Sequence, residues 1–371
     1  MIKKVLIIYS GAKVWGGIET YLENLFNSYD RKKLELILVS LGDWELTKKL
    51  SGAKHKVVIL PSTRIRFKTV SDIVDLVKRE NANLLVSQGV VANYYARKAA
   101  LKSNTPLVTT IHSDIEYDYP NELKKLAYKF SDRIVRKNTT RFITVSKYLK
   151  SELIKSGISS DVISVIYNGV VLNRNDKPKK SSSARGRTGS HRSNNKVILG
   201  SIGRLHYTKG YHNLIEAMNY LKEFPIKLVI HGDGEERKSL EELIKRNALD
   251  EVVSLPGYTK NVQRTLDDMD IFIQPSLMEG FGLAVIDAMN AGKPVIVTPV
   301  GSLPEIVADT KTGLITADTT PESLAVMIKT LVKNPELAKE LAIAGQKEVA
   351  EKFSLDRWAR ETEKVYLETA K

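Results

Sequence analysis

The sequence predicts an α/β protein built as two doubly wound domains in series. Short, continuous Val/Ile/Leu runs alternate with segments of helical apolar spacing, which is the mark of parallel strands covered on both faces. The alternation stops at residue 173 and restarts at residue 196. The 371 residues also suffice for two cores of ordinary size.

In the first half, strands are expected at residues 5–9, 34–39, 57–60, 84–87, 107–111, 141–145 and 162–166. Helical spacing fills 18–26, 70–78, 92–102 and 122–135. Residues 173–195, NRNDKPKKSSSARGRTGSHRSNN, carry almost nothing to bury and are expected to be a basic linker or loop. In the second half, strands are expected at 197–202, 227–230, 252–255, 271–274, 294–298 and 313–315. Helices are expected at 210–221, 236–245, 262–266, 283–290, 304–308, 321–332, 336–353 and 355–370. The expected division is 1–172, 173–195, 196–353 and a closing helix at 354–371 that packs back toward the first domain. Each domain is Rossmann-like, and two of them facing each other would frame a cleft, with ligands bound where loops leave the carboxyl ends of the strands.

Composition narrows the chemistry. With 42% hydrophobic and 27% charged residues the chain is an ordinary globular mix, not a disordered or collagenous one. It has no cysteine, which excludes thiolate metal sites, cysteine nucleophiles and redox pairs. No apolar run approaches the ~20 residues of a membrane span, and the opening stretch reads as a buried strand rather than a secretory signal. The net charge of +14 is uneven: basic residues exceed acidic ones by 19 over residues 1–200, and acidic exceed basic by 5 over 201–371. Such asymmetry suits an anionic partner for the first half, whether nucleic acid, lipid surface or phosphorylated substrate; a solvated basic surface is the plainer alternative.

Candidate functional residues follow the strands. Gly16 and Gly17 stand at the first strand-to-helix turn, where bare backbone and a helix N-terminus favour an anion; a tight turn alone would also explain them. His112 follows the strand at 107–111 and can hydrogen-bond a hydroxyl or phosphate, or be a satisfied structural histidine. Ser146 is a natural N-cap and Asn168-Gly169 a natural turn.

The second half is richer. Gly203-Arg204-Leu-His-Tyr-Thr-Lys209-Gly210 leaves a strand and opens a helix, placing a guanidinium fork and an ammonium where a diphosphate would sit. Gly232-Asp-Gly234 forms a second loop permissive for close approach. In the stretch from Pro275 to Thr298, Glu279 and Asp287 stand eight residues apart around the Gly280-Phe281-Gly282 turn. Carboxylates for sugar hydroxyls, with amides and cations for phosphates, are the parts that a sugar nucleotide requires. The triplet Asp268-Met-Asp270, a metal-holding pattern elsewhere, precedes the strand at 271–274 on its amino side and is expected to be a helix end and solvated turn.

At these residues the sequence resembles the retaining GT-B glycosyltransferases of family 4. The motifs are Gly16-Gly17-Ile-Glu, Gly203-Arg204 with Lys209-Gly210, Gly232-Asp-Gly234, Pro275-Ser276, Glu279-Gly-Phe-Gly282 and Gly301…Pro304-Glu305-Ile-Val. The resemblance implies that Arg204 and Lys209 hold the donor diphosphate, with Gly203 and Gly232 lining the donor site. Glu279 would bind the transferred sugar, helped by the amides of Phe281 and Gly282, and Leu283 would also belong to the donor site. The nucleotide ribose would meet Asp287, which replaces the family's glutamate and is one methylene shorter. Tyr258 would lie near the base, His112 would touch the donor sugar, and Gly16 and Gly17 would meet the acceptor or phosphate. Ser302 stands where the family usually has a second glycine.

The function so implied is retaining, metal-independent transfer of a hexose or N-acetylhexosamine from a nucleotide sugar, UDP before GDP. The acceptor would be lipid-linked or a polysaccharide, in surface glycan synthesis. No cofactor is implied beyond the donor substrate. The basic first half suggests peripheral attachment to an anionic membrane, at the inner face of the plasma membrane of a cytoplasmic protein. A sugar-nucleotide epimerase, a sugar phosphorylase and a nucleic-acid-binding protein are the alternatives. Against the last, the basic stretches lack interleaved aromatics and no nucleic-acid partner is expected.

Overall fold

A computed structural model describes residues 2–11, 15–60, 68–113, 136–172 and 196–371. The helix expected at 122–135 and the basic segment 173–195 lie outside the described residues. The chain divides into two compact units: Met1–Gly169 with Leu355–Lys371, and Val170–Ser354.

The first unit holds seven strands: β1 (Lys3–Tyr9), β2 (Leu34–Ser40), β3 (Lys56–Ile59), β4 (Leu84–Gln88), β5 (Leu107–Ile111), β6 (Arg141–Thr144) and β7 (Ile163–Val165). All pairings are parallel, in the order β3-β2-β1-β4-β5-β6-β7, with Val5 opposite both Leu36 and Leu84. Val5 to Tyr9 are fully buried, as an apolar run covered on both faces must be. One face is covered by the Gly17–Ser28 helix through Tyr21, Leu22, Leu25 and Phe26. The Leu355–Thr369 helix enters the same core with Trp358, Ala359, Val365 and Tyr366. The opposite face is covered by the Lys68–Glu80 and Val90–Ser103 helices.

The second unit repeats the design with β8 (Val197–Ile202), β9 (Ile226–His231), β10 (Val253–Gly257), β11 (Ile271–Gln274), β12 (Val295–Val297) and β13 (Leu314–Ile315), in the order β10-β9-β8-β11-β12-β13, again all parallel. In both units the order reverses beside the first strand, between β1 and β4 and between β8 and β11. Ligands of open α/β sheets bind outside the carboxyl ends of the strands at such points.

The structure departs from expectation in three places. The helix expected at 210–221 is an α-helix only over Tyr211–Ala217 and tightens to a 3₁₀ turn over Met218–Leu221. Two helices were not anticipated, Glu45–Gly52 and Lys147–Lys155. Ser146 caps the second of these, its Oγ accepting the Leu149 N–H at 3.2 Å. Among the described residues no helix is long and apolar enough to cross a membrane.

Candidate active site

In the second unit two loops meet where the strand order reverses. The loop after β8 runs through Gly203 to Gly210, and the loop after β11 through Pro275 to Gly282. They are tied by the Thr208 carbonyl, which accepts the N–H groups of Leu277 at 2.8 Å and Met278 at 3.1 Å. The fit is close: a Cβ on Gly210 would stand 2.1 Å from the Pro275 carbonyl oxygen, and one on Gly232 would stand 1.8 Å from that of Gly203. Only glycine permits these approaches, which draw the loops after β8, β9 and β11 together.

The result is an ion pair. Lys209 Nζ lies 2.7 Å from Glu279 Oε2, although seventy residues separate them. Glu279 is 8% exposed, and the same oxygen also receives Gln274 Nε2 and Ser276 Oγ, each at 3.2 Å. Three donors thus converge on Oε2, and no described residue donates to Oε1. Behind the carboxylate, the Glu279 carbonyl accepts the N–H of Ser302 at 3.1 Å, and its Oγ at 3.4 Å, so the residue replacing a glycine grips this loop. Beyond Glu279, Gly282 caps the Leu283–Asn290 helix with φ +90°. The amides of Gly282 and Leu283 have no acceptor among the described residues, an arrangement that favours an anion.

Arg204 does not join this pair. Its Nη2 contacts the Glu235 carboxylate at 3.0 and 3.2 Å, with His206 Nε2 at 3.3 Å from the same carboxylate. Arg204 and Lys209 share a loop, yet they engage different acids. Phe281 is buried edge-on against Phe353, so its ring is core while its backbone borders the helix start. Asp287 lies on the helix, where burial pushes its carboxyl up to about 7. Tyr258 follows β10 and is 54% exposed. The Asp268–Asp270 triplet sits at the amino end of β11: Asp270 Oδ2 accepts the Ile198 N–H at 2.8 Å, fastening β8.

In the first unit, His112 leaves β5. Its Nε2 lies 2.5 Å from Gln88 Oε1, and Gln88 Nε2 donates to Thr110 Oγ1 at 3.1 Å. With the amide so oriented, Nε2 carries the proton and Nδ1 is left as an acceptor. Tyr21 packs edge-on against the ring at 4.8 Å, and desolvation pulls the imidazole down to about 4, leaving it neutral. Gly16 and Gly17 differ from each other. The Gly16 N–H donates to Glu19 Oε2 at 2.9 Å, and Tyr9 OH holds Glu19 Oε1 at 2.5 Å. The Gly16 amide is therefore spent on its own helix, whereas that of Gly17 has no acceptor among the described residues.

Residues 186–348 match the family described as Glycosyl transferases group 1, and residues 15–174 match Glycosyltransferase Family 4. The chain belongs to the group 1 glycosyltransferases. It is 28% identical over 373 residues to an uncharacterized glycosyltransferase of Methanocaldococcus jannaschii, covering 95% of each chain. It is also 28% identical to the phosphatidylinositol N-acetylglucosaminyltransferase GPI3 subunit of Saccharomyces cerevisiae, over 66% of this chain and 54% of that one. Among solved structures, Anabaena HepE in complex with UDP-glucose superposes with a TM-score of 0.83 at 22% identity, over 98% of each chain. The fold of this glycosyltransferase is thus GT-B, two Rossmann-like domains. Gln274 and Glu235 are site residues that sequence reasoning missed, and Ser276 was singled out there only as part of a motif, with no role. A polar residue ending an apolar strand, and an acid directly after Gly232-Asp-Gly234, were the available signals.

Proposed function

We propose that this glycosyltransferase moves a hexose or N-acetylhexosamine from a nucleotide sugar, UDP before GDP, with retention and without a metal ion. The Lys209–Glu279 pair at the carboxyl ends of β8 and β11 carries the reading. It places a cation for a diphosphate beside a carboxylate with one unclaimed oxygen for sugar hydroxyls. Breaking the sugar–phosphate bond leaves negative charge on the nucleotide; Lys209, Arg204 released from Glu235, and the amides of Gly282 and Leu283 stabilise it. With retention, the acceptor attacks from the face that the diphosphate leaves, and the departing phosphate oxygen takes the acceptor proton. No side chain then forms a bond to the sugar. Asp287 would accept from the ribose, Tyr258 would border the base beside Gly203 and Gly232, and His112 Nδ1 would accept from a sugar hydroxyl.

The complexed UDP-glucose of the Anabaena neighbour supports UDP as the carrier. The named activity of the yeast relative and the basic excess over residues 1–200 support an anionic, lipid-linked acceptor at a membrane surface. A thermal-shift screen with UDP, GDP, ADP and their sugars tests the donor, since a ligand that binds the folded state raises its midpoint. UDP and a UDP-sugar are expected to stabilise the protein, with turnover unchanged by EDTA. Stabilisation by none of them, or turnover lost to EDTA, would overturn the reading.

A further inference from the structure

Glu279 is held by more than its ion pair, and the hydrogens of the surrounding side chains all run one way. Gln274, at the end of β11 and 1% exposed, has two amide hydrogens. One goes to Ser276 Oγ at 2.9 Å and the other to Glu279 Oε2 at 3.2 Å. Ser276, fully buried, has accepted from Gln274 and passes its own hydroxyl hydrogen to Glu279 Oε2 at 3.2 Å. The reverse amide orientation would set Gln274 Oε1 against the carboxylate, so the direction is dictated by Glu279. Gln274 Oε1 is left buried with no partner, which is the cost of aiming both N–H groups at this site. The frame is itself anchored: the Ser276 carbonyl accepts Thr298 Oγ1 at 2.6 Å and the Gln274 carbonyl accepts the Thr298 N–H at 3.2 Å.

This arrangement matters because Lys209 has two claims on it. In the structure its ammonium serves Glu279, and in the proposed reaction it serves a diphosphate. A carboxylate whose sole partner was Lys209 would follow the ammonium when the donor arrives. We propose that Gln274 and Ser276 are positioning residues that hold Glu279 by Oε2, so that Oε1 is presented to a sugar hydroxyl while Lys209 turns to the donor diphosphate. The inference rests on the donor-site reading above.

Gln274→Met keeps the shape and removes both N–H groups; Ser276→Ala removes the hydroxyl; the double variant removes both supports. UDP affinity is measured by calorimetry, and kcat and KM with UDP-glucose and UDP-N-acetylglucosamine. UDP binding is expected to stay within about threefold of wild type, because no donor to the nucleotide is lost. Turnover of the nucleotide sugar is expected to fall on the order of 10–100-fold, the scale on which a misplaced group acts. A loss of UDP affinity in step with turnover, or no change in either, would overturn the proposal. Should Gln274→Met not fold, Ser276→Ala decides by the same comparison. A crystal structure of the double variant gives a readout independent of turnover: Glu279 moved from its present place supports the positioning role, and Glu279 unmoved sinks it. If the wild type itself turns over no nucleotide sugar, the functional reading fails while this structural comparison still decides the clamp.

Discussion

Arg204 Nη2 and the Glu235 carboxylate stand 3.0 Å apart on the rim of the loops after β8 and β9, with both side chains largely in solvent. An exposed pair of this kind adds little to stability. Arg204→Ala is therefore expected to leave the unfolding midpoint within about 2 °C and yet to weaken UDP binding at least about tenfold, the loss of one charge-assisted contact. A midpoint that collapses while UDP binding persists would make Arg204 a structural residue.

The Glu279 carboxylate behaves differently because it is buried among its donors. Removing the acid strips Lys209 and Gln274 of a shared acceptor, whereas removing the base leaves the carboxylate with two neutral donors. Glu279→Gln is expected to cut transfer on the order of 10²–10³-fold while UDP still binds. Lys209→Ala is expected to lower both UDP affinity and transfer. Steady-state kinetics alongside UDP titration separates the two patterns, and identical patterns would contradict the division of roles.

Gly301 supports the same loop from behind. It adopts φ +55°, and an added Cβ would stand 2.0 Å from the Glu279 carbonyl oxygen. Gly292 has a comparable φ of +68°, but a Cβ there would meet nothing nearer than 3.8 Å. Gly292→Ala is expected to cost only the backbone strain, about 1–2 kcal/mol. Gly301→Ala is expected to cost more, on the order of 3 kcal/mol or above, and to reduce turnover by shifting Glu279. Denaturant titration of the two variants in parallel is the check; equal losses with full turnover would show that the loop yields freely.

Much of this fold was legible because strands such as β1 and β11 carry apolar runs buried on both faces, a pattern with few other readings. The Glu45–Gly52 and Lys147–Lys155 helices were not, since each buries too little to print a period: Leu46, Thr47 and Leu50 in one, Leu149 alone in the other. At the site, Lys209 and Glu279 were each readable as chemistry from their glycine-rich settings. Their meeting depends on β8 lying beside β11, and on Gly210 letting one loop press on the other. Arg204 was readable as a diphosphate ligand beside Lys209, but adjacency in a loop says nothing of direction, and its contact with Glu235, thirty-one residues on, was not readable. Gln274 looked like a strand end because its role exists only once Glu279 folds back over it.

Asp287 gives a pH signature. Burial raises its carboxyl from the ordinary 3.8 to about 7, so between those values the folded chain binds more protons than the unfolded one. Stability contributed at this position therefore falls as pH rises from about 4 to about 7 and stays reduced above. Each unit of displacement corresponds to about 1.4 kcal/mol, giving a ceiling of about 4 kcal/mol for the full shift. Asp287→Asn removes the cost of burying the charge, so its advantage over wild type in urea unfolding should be small at pH 4.5 and largest at pH 8. A second effect runs the other way. Above pH 7 the carboxylate is a pure acceptor for ribose hydroxyls, so UDP affinity should rise through pH 7 in the wild type and flatten in Asp287→Asn. A stability gap independent of pH, with identical UDP profiles, would show that Asp287 is already charged at acid pH and touches no ribose.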